Sequence, residues 1–443
     1  MIDQSLFVRP VVRPAWPCLL AGLFFAGYTT WSLVLYREFQ STGYDLGIFE
    51  QAVRSYAAGH WPTADLKGPG YPVLGDHFSP ILAVLAPFYL LYRGPQTLLV
   101  AQALLLAVSV VPVTRLAMSV VGRRSGVLIG IAYGMSWGLL HAARFDFHEV
   151  CFAVPLLAFA AEALALGRWR LAVCFAVPLV LVKEDLPWTV VAIGLYLVAR
   201  RQWRLGWALA AFGAVVGVLV VLVVLPLVNP SGGYAYWSAL DGSSLSLSHG
   251  LLVRLGTVLA LLAPTLFLAV RSPLVWLALP TLGWRFVSGN PAYWGTDFHY
   301  NAVLMPIVFV AFVAALRGLR PMRFVAPVCL TITLALAVAP LSEGNGQPPW
   351  TVDQRATANA VLDLIPDGAT VAAANRLAPH LTSRCRVFLF PMPPGVLPEW
   401  VVVAFPSTGW PLSTVDEQQR VNALPSLGYQ LVVNSDNIML YRR

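Results

Sequence analysis

Apolar runs long enough to enter a bilayer recur through the first three quarters of the chain, separated by short polar loops. A spanning helix needs about 20 predominantly apolar residues. The pattern predicts eleven spans, at 16–36, 96–118, 125–142, 150–166, 171–183, 186–199, 205–228, 251–270, 273–288, 301–316 and 324–340. A further run at 78–92 is short, follows a polar loop and is interrupted by Pro80 and Pro87, so an interfacial or re-entrant helix is expected there. After residue 341 the pattern changes. Short apolar runs at 371–374, 386–390, 400–405 and 429–434 alternate with turns and with helical segments at 352–364 and 416–424. The expectation is an all-α polytopic membrane domain over 1–341 and a small α/β domain over 342–443.

Charge orients this arrangement. With eleven spans and the N-terminus inside, fourteen arginines fall in short inside segments: Arg9, Arg13, Arg115, Arg123, Arg124, Arg168, Arg170, Arg200, Arg201, Arg204, Arg271, Arg317, Arg320 and Arg323. Eight basic residues fall outside before the tail: Arg37, Arg54, Lys67, Arg93, Arg144, Lys183, Arg254 and Arg285. This is the bias of cytoplasmic loops. Counting 78–92 as a span would reverse it at Arg123-Arg124. The implied location is the plasma (inner) membrane, with a cytoplasmic N-terminus and an extracytoplasmic C-terminal domain. Acidic residues contribute little to orientation, yet of thirteen before the tail only Asp3 and Glu162 fall on the inside half. That skew points to a functional outer surface.

Composition narrows the class. The chain has 443 residues, 58% hydrophobic and 11% charged, against about 25% charged in soluble domains. The net charge of +8 lies in loops between spans and forms no basic face interleaved with aromatics, so no nucleic-acid partner is expected. The five cysteines have no metal-ligand spacing and suggest no disulfide framework. The first apolar run is long and lacks a small-residue cleavage site, so it reads as a retained span rather than a signal peptide.

Candidate chemistry gathers on the outer side. In the first outer loop, Ile48, Phe49, Ala52, Val53 and Tyr56 recur at helical spacing, predicting a short amphipathic helix lying on the membrane. Asp45 stands at its start, either as an N-cap or as a chemical group. Asp76 and His77 open the 78–92 run, where Asp76 could again be a cap. The segment R-F-D-F-H-E brings Arg144, Asp146, His148 and Glu149 into one short loop that needs only a turn. Lys183, Glu184 and Asp185 stand between two apolar helices with almost no loop, where ionisable groups usually mark function. Tyr234, Tyr236, Trp237, Asp241 and Trp284 add aromatic and acidic character, and aromatics at this depth first suggest an interfacial belt. Arg285, His299 and Tyr300 stand at later outer ends. An outer arginine runs against the charge bias and suits phosphate recognition. No phosphate loop, dinucleotide fingerprint, H-E-x-x-H or nucleophile elbow is present.

The segments Y-D-L-G-I-F-E-Q, G-D-H-F-S-P-I, R-F-D-F-H-E, K-E-D and F-H-Y-N-A, with the tail P-D-G-A-T-V-A-A-A-N-R-L-A-P-H-L-T-S-R, resemble a bacterial family of predicted membrane proteins of unknown function. Their order along the chain also resembles the GT-C superfamily of membrane glycosyltransferases, which use polyprenyl-phosphate-linked sugars. That resemblance implies Asp45 as general base, a polyprenyl-phosphate sugar as donor, and an envelope glycan, lipid or protein as acceptor. Leu46 stands where many members carry a second acid, and the Asp76-His77 region lacks the usual double proline. Arg144, Lys183 and Arg285 would face the leaving phosphate; Asp146, His148 and Glu184 would hold a divalent metal ion or contact substrate. On this expectation Asp45, Asp76 and Arg144 converge on one outward cavity. A transporter or flippase for lipid-linked or amphiphilic substrates, with Lys183-Glu184-Asp185 as coupling site, and a non-catalytic envelope scaffold are the competing classes.

Overall fold

The computed structural model describes residues 15–233, 250–317, 319, 323–342, 349–407 and 410–443. Asp3, Arg9, Arg13, Tyr234, Tyr236, Trp237, Asp241 and Arg320 lie outside the described residues.

The chain is a membrane protein built mainly of apolar helices. Among the described residues four are long and apolar enough to cross a bilayer: Ala15–Arg37, Pro95–Val121, Trp203–Val228 and Val325–Ser342. The helices Arg123–Gly134 and Trp137–Arg144 form a fifth candidate, bent by 42° where Ser136 takes an extended conformation. Most of the other expected spans fall on shorter helices, among them Ala153–Ala165, Trp169–Leu181, Leu186–Ala199, Leu251–Thr265 and Leu304–Leu316. The length of an apolar run does not reveal where the helix inside it breaks. In the run at 251–270, regular helix stops near Pro264, and Leu266 and Phe267 turn left-handed at φ 52° and 58°. In the run at 273–288, a 3₁₀ segment, Pro273–Ala278, precedes the helix Leu279–Val287. The run at 78–92 forms the short helical stretch Pro80–Leu91.

Small residues set the tightest helix contacts. A Cβ on Gly194 would lie 2.5 Å from Ala210 N, and one on Gly206 2.7 Å from Gly194 O, so these two backbones touch. Glu162 receives a two-pronged bond from Arg115, Nε to Oε1 at 2.7 Å and Nη2 to Oε2 at 2.6 Å, which satisfies a carboxylate that the apolar surroundings would otherwise penalise.

The tail is a five-stranded sheet: β1 (Thr370–Ala373), β2 (Arg386–Leu389), β3 (Trp400–Ala404), β4 (Gln430–Ser435) and β5 (Ile438–Arg442). The strand order is β2-β1-β3-β5-β4, with β1 parallel to both β2 and β3, and β5 antiparallel to β3 and β4. Helices Val352–Asp363 and Thr414–Asn422 accompany it. The helix Val352–Asp363 begins with a capping box, Thr351 with Gln354. Asp436 and Asn437, at φ 48° and 65°, make the tight turn between β4 and β5, the backbone a two-residue hairpin requires.

This sheet does not stand apart. Phe39, Ile48, Ala52, Ala64, Leu66 and Val73, all from the loop after the first helix, share one buried core with strand residues such as Val371, Val387 and Val402. The composition changes at residue 342, but the tail's core includes the loop after the first helix.

Candidate functional site

Asp45 lies in a π-helical turn, Gly43–Gly47, that runs directly into the helix Ile48–Ala57. It is inside the turn, not at the N-cap, and no side-chain capping bond is made there. Its carboxylate meets His148 instead, Oδ1 to Nε2 at 3.2 Å. The helix buries Ile48, Phe49, Ala52 and Val53, as the spacing predicts, but Glu50 and Gln51 are buried as well. An amphipathic helix on a membrane would leave those two in water. Here Gln51 donates to the Val387 carbonyl at 2.9 Å and accepts from Leu66 N at 3.1 Å, while Glu50 accepts from the Tyr89 hydroxyl. The helix is held between the tail sheet and the helical stretch Pro80–Leu91.

Asp146 supports this turn from beneath. Thr42 donates both its backbone N–H and its hydroxyl to Asp146 Oδ2, each at 2.7 Å. Burial, followed by the charge of Asp45, pushes the Asp146 carboxyl up to about 6. Two residues on, His148 is aligned by Gln102, whose Oε1 accepts the His148 N–H at 3.0 Å, and by the Asp146 carbonyl, 2.9 Å from its Nδ1. Burial alone would lower the His148 pKa. The neighbouring Asp45 carboxylate outweighs it, helped by Glu149 and the Asp146 carbonyl, so the pKa lies above the usual histidine value.

A cavity of about 580 Å³ opens beside Asp45. Its polar wall carries Asp45, Asp76, His77, His148, Glu149, Lys183, Glu184, Asp185, His299 and Tyr300. The side chains meet in pairs: Lys67 with Asp76 at 2.6 Å, His77 Nδ1 with Glu184 at 2.7 Å, and Lys183 with Glu149 at 2.8 Å. The Trp284 indole donates to Asp185 at 2.8 Å. Burial raises the Asp76 pKa, but His77 and Lys67 more than offset this and hold it below the usual value. For His77, burial and Lys183 pull downward while Glu184 and Asp76 prevail and raise it. His299 stacks on His148 with ring centroids 3.6 Å apart. Burial, then the positive charge of His148, lowers its pKa well below the ordinary value. Both ring nitrogens of His299 are buried without a hydrogen-bond partner among the described residues.

The lining also has an apolar part, which includes Ile48, Phe49, Trp188, Val221, Pro280 and Trp284. Trp188 is partly exposed, as are Leu222 and Val223, the neighbours of Val221. The cavity therefore combines a dense polar surface with apolar side chains drawn from apolar helices. Among its ion-paired carboxylates, Asp45 keeps 30% of its side chain accessible, against 13% for Asp76, 4% for Glu184 and 1% for Glu149.

Arg144, Asp146 and Arg285 do not line the cavity. Arg144 ends the helix Trp137–Arg144. Arg285 is completely buried and donates to the carbonyls of Tyr293 at 2.8 Å and Gly295 at 2.9 Å, and to Asn301 Oδ1 at 2.8 Å. Its guanidinium holds the segment between the helices Leu279–Val287 and Leu304–Leu316. Asp45 and Asp76 thus share one cavity and Arg144 stands apart. The metal candidates are engaged separately, Asp146 by Thr42, His148 by Asp45 and Glu184 by His77. Among the described residues no group of three His, Cys, Asp or Glu side chains is arranged to hold a metal ion.

Beyond the residues that the sequence pattern singles out, Tyr44, Lys67, Tyr293 and Ser288 also line the cavity. Tyr44 stands next to Asp45, and Lys67 is a cation in the expected outer loop, against the charge bias; both are readable signals. Tyr293 and Ser288 carry none. The tail's grip was also unforeseen. Asn375 accepts from Gly43 N through its carbonyl at 2.7 Å and from Tyr44 N through Oδ1 at 3.0 Å. Trp410 packs edge-on against Tyr44 at 4.3 Å. Arg376 donates to the Phe39 carbonyl at 2.6 Å, and His380 stacks on Tyr36 and Phe39 at 4.3 and 4.0 Å.

A family described as "Predicted membrane protein (DUF2079)" matches residues 35–440, and the chain belongs to it. No curated protein matches the sequence. Among solved structures, the fold is similar to the crystal structure of ArnT from Cupriavidus metallidurans bound to undecaprenyl phosphate. The match has a TM-score of 0.59 at 15% identity and covers 97% of this chain and 98% of that one. The shared fold runs through the tail as well as the helices.

Proposed function

For this member of the DUF2079 family, we propose a polyprenyl-phosphate-dependent glycosyltransferase that works on the extracytoplasmic face, with Asp45 as general base. The observation that carries the reading is the Asp45–His148 pair at 3.2 Å, on the most accessible of the ion-paired carboxylates in a cavity lined by both polar and apolar side chains. A small polar substrate needs no wall of Trp188, Val221 and Pro280. An isoprenoid phosphate uses both kinds of lining. The ArnT structure's bound undecaprenyl phosphate supports the same class of donor.

In the transfer, the acceptor hydroxyl oxygen attacks C1 of the donor sugar and the bond from C1 to the lipid-phosphate oxygen breaks. The hydroxyl proton passes to the Asp45 carboxylate, and the lipid phosphate leaves with the bond electrons. His148 orients the carboxylate through its Nε2 contact at 3.2 Å. Lys67, Lys183 and His77 supply N–H donors and positive charge toward the phosphate, as a developing anion requires. The neutral His299 has hydrogen-bonding capacity to spare for a sugar or acceptor hydroxyl.

Mass spectrometry of lipid-linked sugars and envelope glycans from a deletion strain tests this. Accumulation of one polyprenyl-phosphate sugar, with loss of that sugar from an envelope acceptor, supports the reading. Unchanged pools of both, with a lipid or solute retained on one side of the membrane, would point to transport.

A further inference from the structure

A second polar site lies at the other end of the helix hairpin that carries Lys183-Glu184-Asp185. The helical stretch Trp169–Leu181 leads to that turn and the helix Leu186–Ala199 leads away from it, so residues 168–170 and 200–204 share the far end. Between them is a groove of about 1010 Å³, lined by Arg168, Trp169, Arg170, Arg201, Trp203 and Arg204.

The groove is made by one local structure used twice. After the helix Ala153–Ala165, Gly167 turns left-handed at φ 70°, donating to the Leu164 carbonyl while Arg168 N donates to Ala163. After Leu186–Ala199, Arg201 does the same at φ 63°, donating to Val198 while Gln202 N donates to Leu197. Both are Schellman turns, and glycine suits the left-handed position. The second turn has arginine there, at a conformational cost that local stability does not explain. The sequences after the turns also match, R-W-R-L at 168–171 and Q-W-R-L at 202–205. Each begins the next helix with tryptophan and places an arginine in the first turn, where the helix dipole disfavours a cation. None of the four arginines has a carboxylate partner among the described residues. Around them, Leu171, Trp203 and Trp207 are exposed, the apolar and indole surface of a helix end at a membrane boundary.

We propose that this groove binds the phosphate headgroup of an anionic phospholipid. Four guanidiniums with no carboxylate partner among the described residues offer paired N–H donors for phosphate oxygens. The flanking tryptophans sit where a lipid's glycerol and upper chains would run. Basic pockets between helices are a known form of headgroup recognition. The doubled W-R-L motif matches a lipid with two phosphates better than one with a single charge. This inference does not depend on the reading of the Asp45 cavity.

The test is native mass spectrometry of the purified full chain, delipidated and titrated with diphosphatidylglycerol, phosphatidylcholine or inorganic pyrophosphate. The expected result is selective retention of diphosphatidylglycerol, weakened roughly fivefold per arginine removed in R170Q/R204Q. The equal charge change R123Q/R124Q, on another loop, should leave retention unchanged. Equal retention of the neutral lipid, or equal loss in both double variants, overturns the proposal. So does binding of pyrophosphate without lipid, which would make the groove a site for a soluble phosphate compound. Should R170Q/R204Q fail to fold, a photoactivatable anionic lipid on the wild-type protein decides. Crosslinks in 166–174 and 200–208 support the site, and crosslinks confined elsewhere reject it.

Discussion

Asn375, in the tail, holds the backbone on the N-terminal side of Asp45 at two successive residues, accepting from Gly43 N at 2.7 Å and from Tyr44 N at 3.0 Å. Only the second bond uses the side chain. Replacing Asn375 with Leu strands the Tyr44 N–H, at a local cost of about 1–3 kcal/mol. Asn375→Asp keeps an acceptor oxygen. In Asn375→Leu, amide hydrogen exchange across 43–48 should quicken and transfer should fall in kcat more than in KM, with Asp restoring much of both. Unchanged exchange in the Leu variant would show that the tail does not position the turn.

The same interface leaves no room at Gly43. An added Cβ would meet the Ala378 Cβ at 2.6 Å, and overpacking of this kind costs about 1–3 kcal/mol. Gly43→Ala should lower thermal stability, and adding Ala378→Gly should recover most of the loss. Additive losses in the double variant would mean the two residues are not in contact.

Arg285 gives a different forecast from the one its sequence position suggests. Its donors are committed to Tyr293, Gly295 and Asn301, so Arg285→Ala should act on stability. Several buried acceptors lose their partner, each at a cost of about 1–3 kcal/mol. Lysine, a point donor, should not rescue the fork. A thermal shift in detergent checks this. Normal melting with selectively weakened donor binding would return Arg285 to the phosphate site.

The Asp45–His148 pair makes stability depend on pH. The folded His148 pKa is raised, so the pair's contribution is fully present below the unfolded value of about 6.5. It is lost as pH rises through the folded value. The melting difference between wild type and His148→Gln should therefore be largest at acidic pH and shrink above neutrality. A difference constant from pH 5 to 9 would show that the pair is not ionic.

Much of the site was legible because a membrane protein writes function as charge where charge is costly. Asp45, Asp76, His77, His148, Glu149, Lys183-Glu184-Asp185, His299 and Tyr300 break the apolar pattern, and they meet in one cavity. Arg285 breaks it too, but sequence does not distinguish a cation facing a ligand from one bound by backbone carbonyls. The tail strands followed from alternation, except β5, whose I-M-L-Y-R reads as a continuation of the fourth strand unless the Asp436-Asn437 turn is noticed. The tail's hold on Asp45 was hidden because the contact joins residues 331 apart in sequence. Glu50 and Gln51 misled in the same way, being polar because they face partners from distant segments rather than water.

The most direct measurement is transfer by Asp45→Asn, using the lipid-linked donor that accumulates in the deletion strain and its envelope acceptor. Asparagine keeps the size of the side chain but takes up no proton. Expression, melting temperature and amide exchange across 43–48 are read in parallel, so that loss of the turn is not mistaken for loss of the base. The expected result is an intact protein whose turnover falls by about 10²- to 10⁴-fold with donor affinity retained. Turnover near the wild-type level in an intact protein would contradict the assignment of Asp45 as the general base.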